Sequence, residues 1–368
     1  MKPPVTVPRI DTLDLLRGYF LLVILLNHLH YYPSGLEFIT GKSFLYASTA
    51  EGFFLISGIV LGIVRGAKLI NKPLKEGAKL LWKRSKQLYI TSIILVVFFT
   101  LIGWLLVDRP GLKPGIFLPV GDIWPMLWQT ITLQYTYGWA DYLRLYALFI
   151  AATPLALWLL RKKMWWAVLT ISLGVWALYP YSPWPKGWLS TPFSWQLIFF
   201  IGFIIGFHWL NIQQWWRSKS STLRRTLTLT LVPLGFLSLI ATALLVFGHG
   251  IPAIGDQLAN IHHTIEGYFE KDRLPLPRVM LFGLWFISFF WLFNRYQKQI
   301  RQWLGWILIP FGTNSLYVYV IQAFVIFTIM LITSKSELWF VNLGISIVAI
   351  SLVLLAVRKK FLMKIIPR

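Results

Sequence analysis

The chain has 368 residues, 57% of them hydrophobic and only 13% charged, with a mean hydropathy of +0.65. A soluble domain carries roughly 25% charged residues, so this composition excludes an ordinary water-soluble fold and points to lipid. The absence of cysteine excludes disulfides, thiolate catalysis and S-palmitoylation, while a formal charge of +22 raises the question of nucleic acid.

A helix crosses a bilayer in about 20 apolar residues. On that measure the chain predicts about ten transmembrane helices. They fall near 13–31, 48–64, 88–107, 140–160, 164–180, 193–212, 226–247, 276–294, 304–332 and 338–357. The fold class is all-α: a polytopic helix bundle forming a single domain over 1–368, with no linker, repeat or low-complexity tract. The first apolar run carries Asp14, Arg17 and His28 with no small-residue cleavage site after it, so it reads as a span and not a cleavable signal peptide. Residues 108–139 open with DRPGLKPG and continue in the semi-apolar run 123–137. A full span there would turn Arg161, Lys162 and Lys163 to the outside, so the run is predicted to be interfacial or re-entrant. The longest outer loop, 248–275, carries His249, His262, His263, Glu266, Glu270 and Asp272. Trp128, Trp158, Trp188, Trp209 and Trp215 sit near predicted span ends, as in an interfacial aromatic belt.

With the N-terminus in the cytoplasm, 25 of the 35 Lys and Arg residues fall in inner segments and seven in outer ones. This positive-inside bias places both termini in the cytoplasm and explains the basic excess by topology. The expected partner is therefore the lipid bilayer and not nucleic acid. The inner basic segments also suit anionic headgroups or a phosphorylated ligand.

Ionisable groups inside spans are costly and mark candidate sites. Arg17 and His28 are eleven residues apart, which leaves them about 20° from alignment on one helix face and about 16 Å apart along it. Asp14 is close enough to pair with Arg17. Glu51, opening the second span in STAEGFFLISG, lies at nearly the depth of His28. A carboxylate there could orient the imidazole as a general base. Ser57 and Gly58 lie deeper in that span, where small residues permit close helix contact. Asp141, Arg144 and Tyr146, then Trp195, Gln196 and Arg278, fall at similar outer depth; Asp141, Tyr146, Trp195, Gln196 and Arg278 are candidates to bind the acceptor, the last three also for an oxyanion contact. At the inner side Lys83, Arg84, Ser85 and Lys86 lead into the third span. Arg17, Arg84 and Lys86 form an inner cationic mouth that fits a donor with a phosphorylated head. Each feature also has a plainer reading: His28 as an interfacial packing histidine, Asp14 with Arg17 as a boundary ion pair, the KRSK run as a basic anchor. His30 faces about 200° away from His28. No metal-ligand spacing, nucleophile elbow, P-loop or dinucleotide fingerprint is present.

The segments RIDTLDLLRGYFLLVILLNH (9–28) and STAEGFFLISGIVLG (48–62) resemble the opening of the OpgC proteins. Those are bacterial membrane acyltransferases named for succinylating osmoregulated periplasmic glucans, related to the broader acyltransferase family 3. The resemblance continues, in order, through DYLRLYALFIAATPLALWLL (141–160), FSWQLIFFIGF (193–203), LPLPRVMLF (274–282) and FGTNSLYVYVIQAF (311–324). It implies His28 as the base acting on an acceptor hydroxyl, with Arg17 and Arg84 helping to hold the donor. Gln87 and Ile90 stand where the broader family has a second Arg and then Pro, and Gln322 where it has His.

The expected function is acyl transfer across the bacterial inner membrane. The donor is cytoplasmic acyl-CoA, as succinyl-CoA or acetyl-CoA, the acceptor is an extracytoplasmic glycan, and no metal is implied. The alternatives are O-acetylation of another surface polysaccharide, a lipid or a secondary metabolite, or a transporter of a glycan or lipid. A transporter predicts paired halves with matching broken helices, and the sequence has no such symmetry. A homodimer is compatible with these readings.

Overall fold

The structure is a computed structural model that describes residues 9–106, 119–181 and 190–366. Trp188 and the DRPGLKPG segment lie outside the described residues. Among the described residues every regular element is helical.

Helix α1 (Asp11–Leu29) carries Asp11 and Asp14 in its first turn, where carboxylates complement the helix dipole. It ends at His30, whose left-handed backbone (φ 58°) turns the chain. The short α2 (Glu37–Thr40) precedes α3 (Thr49–Leu61), which continues through a π-helical turn at Gly62–Ala67. Helix α4 (Leu74–Leu105) starts fourteen residues before the expected span at 88. Its first half carries Lys75, Lys79, Lys83 and Arg84. Such residues are good helix formers but invisible to hydropathy. The run expected to be interfacial contains α5 (Ile123–Ile131), nine residues long, which at 1.5 Å per residue is too short to cross. Then follow α6 (Tyr142–Arg161), α7 (Trp165–Leu178), α8 (Ser190–Phe207), α9 (Trp209–Ser218) and α10 (Ser221–Phe247). The chain finishes with α11 (Gly255–Ile265), α12 (Leu276–Arg295), α13 (Gln297–Thr313), α14 (Ser315–Ile332) and α15 (Trp339–Arg358).

Among the described residues eight helices are long and apolar enough to span a membrane, and nine if α8 and α9, bent by 71°, form one broken span. The count falls short of the expected ten at the fifth span and at the bent sixth, and the ninth span is shorter than expected. The fifth predicted span is α7, only 14 residues, about 21 Å at 1.5 Å per residue. The ninth, 304–332, divides at Asn314 into α13 and α14, because the apolar run continues across a helix break that hydropathy does not register.

Both termini lie at one end of the bundle. Arg301 on α13 donates to Asp11 at 2.5 Å, and the Tyr317 hydroxyl on α14 donates to the Phe361 carbonyl at 2.5 Å. At the other end, the loop face, the Tyr31 hydroxyl donates to the Thr333 carbonyl at 2.7 Å.

Two glycine contacts fix the centre. Gly58 on α3 and Gly62 in the π-helical turn after it meet Gly202 and Gly206 on α8 so closely that a Cβ at any of the four would collide with a backbone carbonyl opposite. In lipid, where apolar surface alone does not pull helices together, such small-residue seams let backbones approach. Gly18 on α1 and Gly312 on α13 form a second seam. Gly206→Val is expected to destabilise the protein by about 1–3 kcal/mol through overpacking, read as a lower melting temperature in detergent. Gly174→Ala, whose Cβ meets nothing within 4 Å, should leave it unchanged.

Candidate active site

The site is assembled where α1, α3, α4, α6, α12 and α14 converge. From the termini face a cavity of about 470 Å³ runs inward. Its walls include Arg17 of α1, Arg65 after α3, Lys83 and Arg84 of α4, Tyr142 and Tyr146 of α6, and Tyr319 of α14. Arg17 Nε is buried and has no hydrogen-bond partner among the described residues. The same holds for the hydroxyl of Ser57, 1% exposed, which also lines this cavity. Four cations thus face a space with unused donors.

Tyr142 joins this cavity to His28. The Tyr142 ring lies 5.9 Å from the His28 ring, 5.8 Å from Tyr319 and 6.3 Å from Trp195, centroid to centroid. Its backbone N–H donates to the Tyr319 hydroxyl at 3.2 Å, and that hydroxyl donates to the Trp139 carbonyl at 2.8 Å. Asp141 Oδ1 lies 3.4 Å from the same hydroxyl. His28 is half-buried, and its buried Nδ1 has no hydrogen-bond partner among the described residues.

From the loop face a second cavity, about 510 Å³, is lined by Lys42, Tyr46, His249, His262, Glu266, Lys271 and Arg278. Lys271 lies within electrostatic reach of both His28 and Asp141. Its backbone carbonyl accepts from Trp195 Nε1 at 3.2 Å. Across this vestibule Tyr46 and His262 are joined by a 2.7 Å hydrogen bond, and His262 Nε2 lies 3.3 Å from Glu266. Burial, and then the charge of Glu266, push the Tyr46 hydroxyl above the ordinary tyrosine range.

Several expectations are corrected by this geometry. Glu51 does not orient His28. One carboxylate oxygen, Oε1, accepts from Arg278 Nε at 2.7 Å and lies 2.5 Å from its Nη2. The other accepts from the Ser48 backbone N–H at 3.1 Å and from the Ser48 hydroxyl. The local cause is a capping box: Ser48 is the N-cap of α3 and Glu51 its N3 residue, so the carboxylate folds back onto the helix start. The S-x-x-E signature was legible in STAE. Glu51 and Arg278 nevertheless remain within electrostatic range of the Tyr142 hydroxyl. Asp14 pairs with Arg9 at 2.6 Å and not with Arg17, because Arg9 precedes the helix and folds back onto its first turn. Lys86 is exposed and outside the cavity. Lys83, Arg84 and Gln87 share the cavity face, and at 100° per residue Lys86 points away. Gln196 is turned to α7, accepting from the Ser172 hydroxyl at 2.6 Å and donating to the Ser172 carbonyl at 2.8 Å. Tyr146, expected near the acceptor, lines the termini-face cavity with Arg17, because it lies one turn further along α6 than Tyr142. Arg278, besides Glu51, donates to the Phe269 carbonyl at 2.7 Å. Arg144 donates to the Leu133 carbonyl at 2.7 Å and so anchors the chain after α5.

A family model described as OpgC protein matches residues 9–365. The chain belongs to the OpgC family. No curated protein and no solved structure matches it. In this OpgC protein the lining residues that do not stand out in the sequence are Tyr142, Tyr319, Arg65 and Lys271. The available signal was the Tyr142–Tyr146 spacing, which puts two hydroxyls on one face of α6.

Proposed function

We propose that this protein is a membrane O-acyltransferase that moves a succinyl or acetyl group from cytoplasmic acyl-CoA to a hydroxyl of an extracytoplasmic glycan. The observation that carries this reading is the cavity lined by Arg17, Arg65, Lys83 and Arg84 and by Tyr142, the ring packed against His28. Membership of the OpgC family supports the enzymatic class and a glucan as the glycan. The positive-inside distribution supports a cytoplasmic termini face and the bacterial inner membrane as location.

In this reading the cations hold the phosphates of the donor, guanidinium groups being suited to bidentate contact. The pantetheine arm follows α1, where Arg17 and His28 are about 16 Å apart along the axis. His28 takes the proton of the acceptor hydroxyl as its oxygen attacks the thioester carbonyl. The C–S bond breaks, the acyl group stays on the acceptor oxygen, and the thiolate leaves with a proton as free CoA thiol. The acceptor enters through the loop-face vestibule beside Lys271 and Arg278.

Protein in nanodiscs, supplied with succinyl-CoA or acetyl-CoA and a periplasmic glucan, should release CoA thiol. The glucan should gain the mass of one acyl group. Arg84→Gln should raise the acyl-CoA KM about tenfold, the loss of roughly one charge-assisted contact of 1.4 kcal/mol, with little change in the glucan KM. Absence of thiol release, together with vectorial glucan uptake by proteoliposomes, would replace the enzyme reading with transport.

A further inference from the structure

A third cavity lies apart from the two above. A crevice of about 810 Å³ opens between α1, α10 and α12 under the chain segment around α2. Its floor is apolar, with Phe20, Leu239, Ala243, Phe282, Phe286 and Phe289 in the wall. Helix α10 has only 17% of its spanning window buried inside the protein, so the crevice borders the bilayer. Phe38 and Phe44 beside its mouth are 96% and 57% exposed, which suits a lipid surface and not water.

Two opposite charges sit at that mouth. Lys42 lines the crevice and the vestibule alike, and Glu37 lines the crevice. They form no ion pair with each other among the described residues. Glu37 uses one oxygen to accept from the Ser34 N–H at 2.7 Å, while its Oε2 is buried and has no hydrogen-bond partner. A desolvated carboxylate oxygen wants a donor, and a cation at the same rim wants an anion.

We propose that this crevice binds a glycerophospholipid with a primary-amine zwitterionic headgroup: an acyl chain between α10 and α12, the phosphate at Lys42 and the ammonium at Glu37 Oε2. A lone apolar groove would accept any chain. The paired unlike charges select a headgroup carrying both, and the unpartnered oxygen selects a hydrogen-bond donor over a quaternary amine. The site does not rest on the acyl-transfer reading: Lys42 also lines the vestibule, but neither it nor Glu37 has a role in the proposed chemistry.

The test is native mass spectrometry of the full chain released from nanodiscs with equal parts phosphatidylethanolamine, phosphatidylglycerol and phosphatidylcholine. Phosphatidylethanolamine should be retained at least fivefold over either of the other two lipids. Glu37→Gln should equalise it with phosphatidylcholine, and Lys42→Gln should lower retention of both. Ala243→Trp, which fills the crevice, should remove retained lipid; Ala243→Ile, a smaller change, should remove part of it if the tryptophan variant does not fold. A phosphatidylethanolamine with a diazirine in its acyl chain should label the α10 segment around Leu239–Phe247. Preferential retention of phosphatidylglycerol, retention without headgroup preference, or labelling that survives Ala243→Trp in folded protein would overturn the proposal.

Discussion

Replacing His28 by alanine is expected to lower acyl transfer by about two to four orders of magnitude, the usual contribution of a positioned general base, with little change in the acyl-CoA KM. The argument is geometric. The His28 ring packs against Tyr142, which lines the termini-face cavity, and its Nδ1 has no hydrogen-bond partner among the described residues. Its base function would therefore be set by the substrate hydroxyl and not by a resident carboxylate, since both oxygens of Glu51 are engaged by Ser48 and Arg278. Single-turnover thiol release with saturating donor separates the outcomes. Full activity of His28→Ala removes the imidazole from the chemistry, while a raised donor KM with unchanged kcat would make it a binding residue.

Breaking the Glu51–Arg278 pair should have the largest effect on stability. Glu51 is 0% exposed and Arg278 3%. Removing one partner of a buried pair leaves an uncompensated charge and typically costs about 3–5 kcal/mol. Arg278→Met is expected to fold poorly or melt far below the parent protein, because Glu51 would retain only the two Ser48 donors. The double change Glu51→Gln with Arg278→Met should recover much of the loss, since a neutral amide can keep a contact to Ser48. Thermal melting in detergent checks this, and an Arg278→Met protein as stable as the parent would mean that water reaches the pair. The pair also ties α3 to α12 across 227 positions, so its loss is expected to loosen the vestibule wall.

Reading the chain without its structure locates some of this and misses the rest for physical reasons. Arg17 and His28 stand out because an ionisable group in an apolar run is rare and its helical phase is calculable; Arg17 lines the cavity and His28 touches Tyr142. Tyr142 and Tyr319 do not stand out, because 17% of the chain is aromatic and one more ring is no signal. Depth along a helix points Glu51 to the nearest polar group at its level, but its partner Arg278 lies on a helix remote in sequence. Lys86 was grouped with Arg84 because adjacency in sequence hides the 200° between them on a helix.

Hydropathy and the placement of charge along the chain were enough to specify an all-helical membrane bundle, most of its span positions and the two ends of α1. Those quantities belong to each segment separately, because the cost of placing a residue in lipid depends on that residue and its depth. The lateral arrangement was decided only by the fold: the α3–α8 glycine seam, the Glu51–Arg278 pair, and the meeting of α6 and α14 beside His28. Lipid is as apolar as the helix faces it covers, so it does not choose which face turns inward. That choice is made by close backbone contacts and by polar groups that must find each other across the bundle.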